Sequence, residues 1–203
     1  MVKKIIGIIS YLLHPLLIPF YLFVVLLNYH NENTGPILYR GKLILEGMVF
    51  LITAVLPFVT GYFLYSRKLI QTFSLEKKEE RIYPLINTAV FYYLSYYMLK
   101  GGQLPAIYSY LMLGWTFLVI CAIVISFFYK ISLYMISMGS ITGVLLGLTI
   151  GHGFSLTLFL LIFIFLTGVT AWSRLKAEHH KPSEVYAGFL MGFSVMFCLF
   201  YFI

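Results

Sequence analysis

The sequence predicts an all-α protein, a polytopic transmembrane bundle of about six or seven helices. Of its 203 residues, 61% are hydrophobic and only 10% are charged, whereas soluble domains are about half apolar and about a quarter charged. Its apolar runs approach the roughly 20 residues that a helix needs to cross the hydrocarbon core of a bilayer. We therefore expect a single integral membrane domain over residues 1–203 and no soluble domain.

Seven apolar segments carry this prediction. They cover roughly residues 5–28, 43–66, 84–99, 105–128, 131–151, 154–172 and 184–203. The N-terminal run resembles a signal peptide, but it continues to Tyr29 without a small-residue cleavage site, so we expect an uncleaved first span. The third segment is the shortest, and we expect a re-entrant or strongly mismatched helix there.

Prolines mark the ends and interruptions of these segments. Three should lie near helix starts, where the missing N–H costs little: Pro84, Pro105 and Pro182. Three others lie inside the first two spans, which should be kinked: Pro15, Pro19 and Pro57.

Glycines recur every four residues along one face of the fifth segment, at Gly139, Gly143, Gly147 and Gly151. Gly188 and Gly192 repeat the spacing in the last segment. Small residues at this spacing let two membrane helices approach closely. We therefore assign these glycines to packing and not to chemistry.

The basic residues limit the partners that the chain can have. The net charge is +7, and the bases lie in short loops between apolar segments, which favours anionic lipid headgroups or a phosphorylated substrate. No nucleic-acid-binding signature is visible. Cys121 and Cys198 sit inside apolar runs, so we expect two small buried hydrophobes and neither a disulfide nor a metal site.

Ionisable residues are densest between Ser173 and Gly188, a stretch that contains Arg174, His180 and Glu184. His180 and Glu184 are four residues apart, so on a helical turn the carboxylate can orient the imidazole and stabilise its cation. Arginine can engage two phosphate oxygens at once. A nucleophilic imidazole, an orienting acid and a cationic cradle are the components of phosphoryl transfer through a phosphohistidine.

Two other loops should lie on the same face, because an even number of crossings separates all three. One contains Lys77, Lys78 and Arg81, and the other contains Lys130, Ser132 and Tyr134 at the start of the glycine-lined helix. Lysine and arginine donors, with the N–H groups of a helix N-terminus, suit phosphate oxygens. A mixed-charge run such as the first loop is equally often a solvated turn.

The spacing Ser173-Arg174, five residues, His180, three residues, Glu184-Val185 resembles the third signature of the type-two phosphatidic acid phosphatase superfamily. This resemblance covers roughly residues 45–203 and implies a membrane-embedded, metal-independent lipid phosphatase that needs no cofactor. It implies that His180 is the nucleophile, Glu184 its partner, and Arg174 with Ser173 part of the phosphate site. The implied partners are a phosphorylated lipid substrate and membrane lipids.

The family's other two signatures match less closely. The first is Lys, six residues, Arg-Pro, but Arg81 here is followed by Ile82-Tyr83 before the proline, and Lys77 or Lys78 would have to supply the charge. The second is Pro-Ser-Gly-His, which aligns with Ile131 to Tyr134 and retains only Ser132. In the family that histidine protonates the leaving oxygen. Tyr134 could donate a proton, although a phenol is a weak acid at neutral pH, and an interfacial tyrosine is the simpler interpretation.

Two function classes therefore remain open, together with a third, weaker one. The first is a phosphatase of lipid phosphates or pyrophosphates in a bacterial cytoplasmic membrane. The second is a member that has lost catalysis and binds anionic lipids as a structural or regulatory protein, for which the loop around His180 would be a basic juxtamembrane turn. A transporter is the third, but the two halves show no matched helix breaks.

Overall fold

The computed structural model describes residues 2–29, 39–67, 78–102, 104–178 and 180–203, with the backbone alone for Val2, Lys3 and residues 78–80. Throughout these ranges the regular structure is helical, without strands. Six helical stretches are long and apolar enough to cross a membrane: Lys4–Asn28, Tyr39–Ser66, Ala106–Phe128, Leu133–His152, Thr157–Lys176 and Pro182–Phe202. The predicted all-α transmembrane bundle is confirmed, and the chain is an integral membrane protein.

The helices divide between two compact units. Unit 1 comprises Met1–Ile18 and Lys130–Ile203, and unit 2 comprises Pro19–Tyr129. Unit 1 contains α1 (Val2–Leu12), a 3-10 turn (Pro15–Leu17), α7 (Leu133–His152), α8 (Thr157–Lys176) and α9 (Pro182–Phe202). Unit 2 contains most of α2 (Ile18–Asn28), with α3 (Tyr39–Phe50), α4 (Leu56–Ser66), α5 (Lys78–Lys100) and α6 (Ala106–Phe128).

Prolines interrupt the first two spans, as their positions predict. His14, directly before Pro15, has an extended backbone at φ −62° and ψ 136°, because a proline disfavours the helical conformation of the residue before it. In the second span, a π-helical turn over Leu51–Val55 separates α3 from α4 just before Pro57, which has no N–H for the ladder.

The third apolar segment lies within a longer helix, α5, which is not among the six stretches that are apolar enough to cross a membrane, so a re-entrant or mismatched helix there stays a prediction. Helix α5 has 23 residues, as many as α6, and Pro84 lies inside it instead of at its start. The first turns of α5 consist of polar residues, which lie outside the apolar run. The length of the apolar run is therefore shorter than the length of the helix. Pro105 and Pro182 do lie at helix starts, as the N-cap of α6 and the first residue of α9.

In unit 2, α5 packs against α6 and α4. The Asn87 side chain on α5 donates a hydrogen bond to the Thr60 hydroxyl on α4. Asn28 on α2 donates to Glu46 on α3 at 2.8 Å. Each bond links polar side chains on two different helices.

Unit 1 is organised around α7, which contacts α9, α8 and the 3-10 turn. The predicted glycine stripe faces α9: a Cβ on Gly143 would lie 2.5 Å from the Phe193 carbonyl oxygen, and one on Gly151 would lie 2.8 Å from that of Tyr201. From the α9 side, a Cβ on Gly188 would lie 2.7 Å from the Ser132 carbonyl oxygen. The two backbones touch along their length, which confirms the packing role of these glycines.

The prediction that both cysteines are buried was wrong. Cys121 is half-buried, Cys198 is exposed, and both are free thiols. An apolar run in a membrane helix does not distinguish core positions from outward-facing ones, because lipid accepts apolar side chains as readily as the core does.

Candidate active site

The opening turns of α7 and α9 lie side by side and form the framework of the site. Ser132 caps α7, and its backbone N–H donates to the Glu184 carbonyl in the first turn of α9 at 3.3 Å. Lys181 caps α9, and its N–H donates to Glu184 Oε2 at 3.3 Å. The close approach at Gly188 permits this arrangement, because a side chain there would meet the Ser132 carbonyl.

His180 and Glu184 form the pair that their spacing predicts. Nδ1 of His180 lies 2.7 Å from Glu184 Oε2, and the two side chains are 7% and 10% exposed. A carboxylate accepts only, so Nδ1 carries the proton in this contact. The nucleophilic lone pair of the neutral ring is then on Nε2, as attack on phosphorus through that atom requires.

Arg174, in the last turn of α8, is only 6% exposed. Its Nη2 donates to the hydroxyl of Ser10 on α1 and, at 3.1 Å, to that of Ser173. Its guanidinium lies over the Tyr134 ring, with 4.1 Å between Cζ and the ring centroid. Its Nε is buried without a hydrogen-bond partner among the described residues. A buried donor of this kind is costly unless a ligand or water satisfies it.

Tyr134 supports Arg174 and is itself held from α1. Its hydroxyl donates to the Ser10 carbonyl oxygen at 3.2 Å. The His14 ring meets the Tyr134 ring edge-on, with centroids 5.8 Å apart, and His14 Nδ1 accepts from the Leu16 N–H at 3.4 Å. The phenolic proton is therefore committed to a backbone carbonyl in this arrangement.

A cavity of about 600 Å³ opens beside the histidine. It is lined by Lys130, Leu175, Glu178, His180, Lys181, Pro182 and Glu184. Glu178 has φ 56°, a left-handed conformation that is unfavourable for residues other than glycine and often marks a functional turn. Two lysines on the cavity wall beside a histidine–carboxylate pair suit an anionic ligand.

Ser132 supplies a second unsatisfied group close to this framework. The residue is fully buried. It occupies the N-cap position of α7, but its hydroxyl does not bond to the first N–H groups of the helix, and its Oγ has no hydrogen-bond partner within the described part of the chain. Together with Arg174 Nε, it gives unit 1 two buried polar atoms that no described residue satisfies. Both atoms belong to residues that the sequence assigns to phosphate binding.

Six of the nine expected site residues belong to unit 1: Ser132, Tyr134, Ser173, Arg174, His180 and Glu184. Arg81 lies in α5 of unit 2, where its side chain is buried. Lys78 begins α5, but its side chain is not described, and Lys77 lies outside the described residues. His179, considered as a substitute for the missing second histidine, is also outside them.

Ser10 is a site residue that sequence reasoning missed, whereas for His14 the sequence favours a packed, hydrogen-bonded histidine. Both lie on the N-terminal segment, before the region that carries the family resemblance, and they are four positions apart in an apolar run. Helix α1 ends at Leu12 and His14 has an extended backbone, so this spacing does not place both side chains on one helical face. No local pattern therefore links Ser10 to the site.

In comparisons with known proteins, the chain matches no family model, no curated relative and no solved structure.

Proposed function

We propose that the protein is a membrane-embedded phosphatase that hydrolyses lipid phosphates or pyrophosphates through a phosphohistidine at His180. The observation that carries the proposal is the 2.7 Å contact between His180 Nδ1 and Glu184 Oε2 at the wall of a 600 Å³ cavity. It prepares Nε2 as a nucleophile, and the carboxylate stabilises the imidazolium that attack creates. We further propose the bacterial cytoplasmic membrane as its location.

The phosphoryl group would be held by the buried donors of unit 1. Arg174 Nε and the Ser132 hydroxyl lack partners among the described residues, and both can donate to phosphate oxygens. Lys130 and Lys181 on the cavity wall add positive charge for the remainder of the headgroup. Fixed donors aimed at the oxygens on which charge develops stabilise the transition state of the transfer.

The reaction proceeds in two displacements. The lone pair of His180 Nε2 forms a bond to phosphorus, the bond to the lipid oxygen breaks, and that oxygen leaves with the bonding pair and takes a proton from water. Water then attacks phosphorus and gives a proton to the hydroxide left by the first step, while the N–P bond breaks and its electron pair returns to Nε2. The products are the dephosphorylated lipid and inorganic phosphate, and Glu184 balances the charge of the ring in between.

Phosphate release by the detergent-purified protein tests the proposal. A panel of lipid monophosphates and pyrophosphates is offered to the wild type, to His180→Ala and to His152→Ala, which removes a histidine from the last turn of α7. We expect release from at least one lipid by the wild type and by His152→Ala, and none by His180→Ala. Unchanged hydrolysis by His180→Ala excludes this nucleophile.

The second candidate is a protein that binds anionic lipids without catalysis. It is favoured by the hydrogen bond from Tyr134 to the Ser10 carbonyl, which leaves no evident proton donor at the position where the family has histidine. This candidate predicts that the wild type binds vesicles containing phosphatidic acid but releases no phosphate. It also predicts that Tyr134→His, which restores the family's residue, gains activity.

A further inference from the structure

Ser10, on the first helix, takes part in the candidate site. The family resemblance begins at about residue 45 and does not include it, yet Ser10 binds two of the residues that the resemblance singles out. Its hydroxyl accepts from Arg174 Nη2, and its carbonyl oxygen accepts from the Tyr134 hydroxyl at 3.2 Å. Helix α1 packs against α8, which carries Arg174.

The direction of the Ser10 contact follows from the proton count of its hydroxyl. Ser10 Oγ donates its one proton to the Ile6 carbonyl of its own helix at 2.7 Å. The remaining lone pairs of Oγ can only accept, and a guanidinium can only donate. The Ser10 hydroxyl is therefore oriented by α1 to receive Arg174.

This contact leaves a specific part of the guanidinium for a ligand. Nη2 is occupied by the Ser10 and Ser173 hydroxyls, and the flat face of the group rests on the Tyr134 ring. Nε, in contrast, is buried without a partner in the described part of unit 1. An arginine fixed at one nitrogen and on one face has lost most of its rotamer freedom before an anion arrives, which reduces the entropic cost of binding.

We infer that Ser10 is a positioning residue, which orients Arg174 so that its Nε meets the phosphoryl oxygens, and that α1 is part of the anion site. The inference rests on the proposed function for the identity of the anion. The inference requires a hydroxyl at position 10. Any residue whose hydroxyl donates to a backbone carbonyl of its own helix should therefore be able to substitute for serine. Threonine does so, as Thr167 on α8 illustrates by donating to the Phe163 carbonyl at 2.7 Å.

The test measures inorganic phosphate binding to the full-length protein in detergent, with turnover as a second readout. The variants are Ser10→Ala, Ser10→Thr, Arg174→Ala and the matched control Ser126→Ala. Ser126 in unit 2 has a hydroxyl in the same arrangement, since it donates to the Ala122 carbonyl of its own helix at 2.6 Å. The thermal unfolding midpoint of each protein without phosphate separates loss of positioning from loss of fold.

We expect Arg174→Ala to abolish phosphate binding and Ser10→Ala to weaken it about tenfold, the usual effect of losing one hydrogen bond to a charged group. Ser10→Thr and Ser126→Ala should bind as the wild type does. On a hydrolysed lipid, Ser10→Ala should lower kcat more than it raises KM, because a correctly placed donor stabilises the transition state most. These shifts should occur at an unchanged unfolding midpoint.

Several outcomes overturn the inference. Wild-type affinity in Ser10→Ala does so, as does failure of Ser10→Thr to recover it. A wild type that binds no phosphate overturns the inference together with the phosphatase, because both need the anion site. If the wild type binds phosphate in a manner that depends on Ser10 and Arg174 but hydrolyses no lipid, the inference holds and the phosphatase alone fails.

Discussion

The two ends of the contact between α7 and α9 are built on opposite principles. Along most of its length, glycine hydrogens on one helix meet backbone atoms of the other, as where Gly143 faces the Phe193 carbonyl. At the opening turns, Glu184 instead pairs with His180, and the Ser132 hydroxyl remains without a partner in the described structure. In the first region the two helices fit by shape alone, whereas in the second the Ser132 hydroxyl has no hydrogen-bond partner among the described residues.

This difference indicates how unit 1 combines stability with a candidate site. Buried polar atoms without partners destabilise a fold, so they persist only where the surrounding structure is rigid enough to hold them. The backbone contact between α7 and α9 is that rigid part. Changes in the glycine region should therefore affect folding, whereas changes at the opening turns should affect binding and turnover at nearly constant stability.

The largest effect is expected where the two backbones touch. A Cβ on Gly192 would overlap the Ile136 carbonyl oxygen and lie 2.9 Å from the Ser140 nitrogen, and backbone atoms cannot move aside as a flexible side chain can. Gly192→Ala should therefore destabilise the protein by about 3 kcal/mol and lower every activity with it. Denaturation in detergent measures the change in the free energy of unfolding.

Gly168→Ala is the matched control, because Gly168 lies on α8 with nothing within 4 Å of its added Cβ. It should unfold as the wild type does. Equal stability of the two variants would contradict the close approach of α7 to α9.

The next effect should be confined to turnover. Glu184→Gln can keep a hydrogen bond to His180 Nδ1, but an amide that donates there places the ring proton on Nε2 and removes the nucleophilic lone pair. We expect kcat to fall on the order of 10,000-fold, as when an orienting carboxylate is converted to an amide in a related catalytic arrangement, with little change in the unfolding midpoint. Wild-type kcat in this variant would separate Glu184 from the chemistry.

A smaller loss is expected from Arg174→Lys. A lysine ammonium keeps the charge but has neither a second nitrogen for a ligand nor a flat face for the Tyr134 ring. Turnover should fall about 100-fold, the effect of losing one transition-state donor. Lys176→Arg, in the same last turn of α8, is the control and should retain full activity. Equal turnover in both variants would show that charge alone suffices at position 174.

The smallest effect is expected from Tyr134→Phe. The substitution removes the hydrogen bond to the Ser10 carbonyl but keeps the ring beneath Arg174. Phosphate release should fall no more than about threefold, because one neutral hydrogen bond contributes little net free energy. Loss of all turnover in this variant would instead make the Tyr134 hydroxyl the proton donor for the leaving oxygen.

Much of the fold and part of the site could be predicted from the sequence, for physical reasons that differ by residue. The glycine stripe and the pairing of His180 with Glu184 are local periodicities, so their spacing alone reveals them. The length of α5 could not be read from hydropathy, because its first turns are polar. The outward-facing Cys198 could not either, because lipid and core favour the same apolar residues.

Ser10 shows most clearly what a local pattern cannot reveal. Its contact with Arg174 joins residues 164 positions apart, and no local pattern in either segment predicts contact with the other. Only the packing of α1 on α8 brings them together. Arg174 Nε, buried and without a hydrogen-bond partner among the described residues, is likewise visible only in the folded protein. The sequence assigns Arg174 to phosphate binding but does not show which of its nitrogens would bind.

Direct detection of the covalent intermediate tests the proposed function most sharply. The protein is mixed with a lipid phosphate that it hydrolyses, quenched rapidly under alkaline conditions that preserve phosphohistidine, and analysed by peptide mass spectrometry, with His180→Ala and His152→Ala alongside. We expect a phosphoryl group on His180 in the wild type and in His152→Ala, and none in His180→Ala. Phosphate release with the phosphoryl group on another residue, or without any phosphorylated protein, would contradict His180 as the nucleophile.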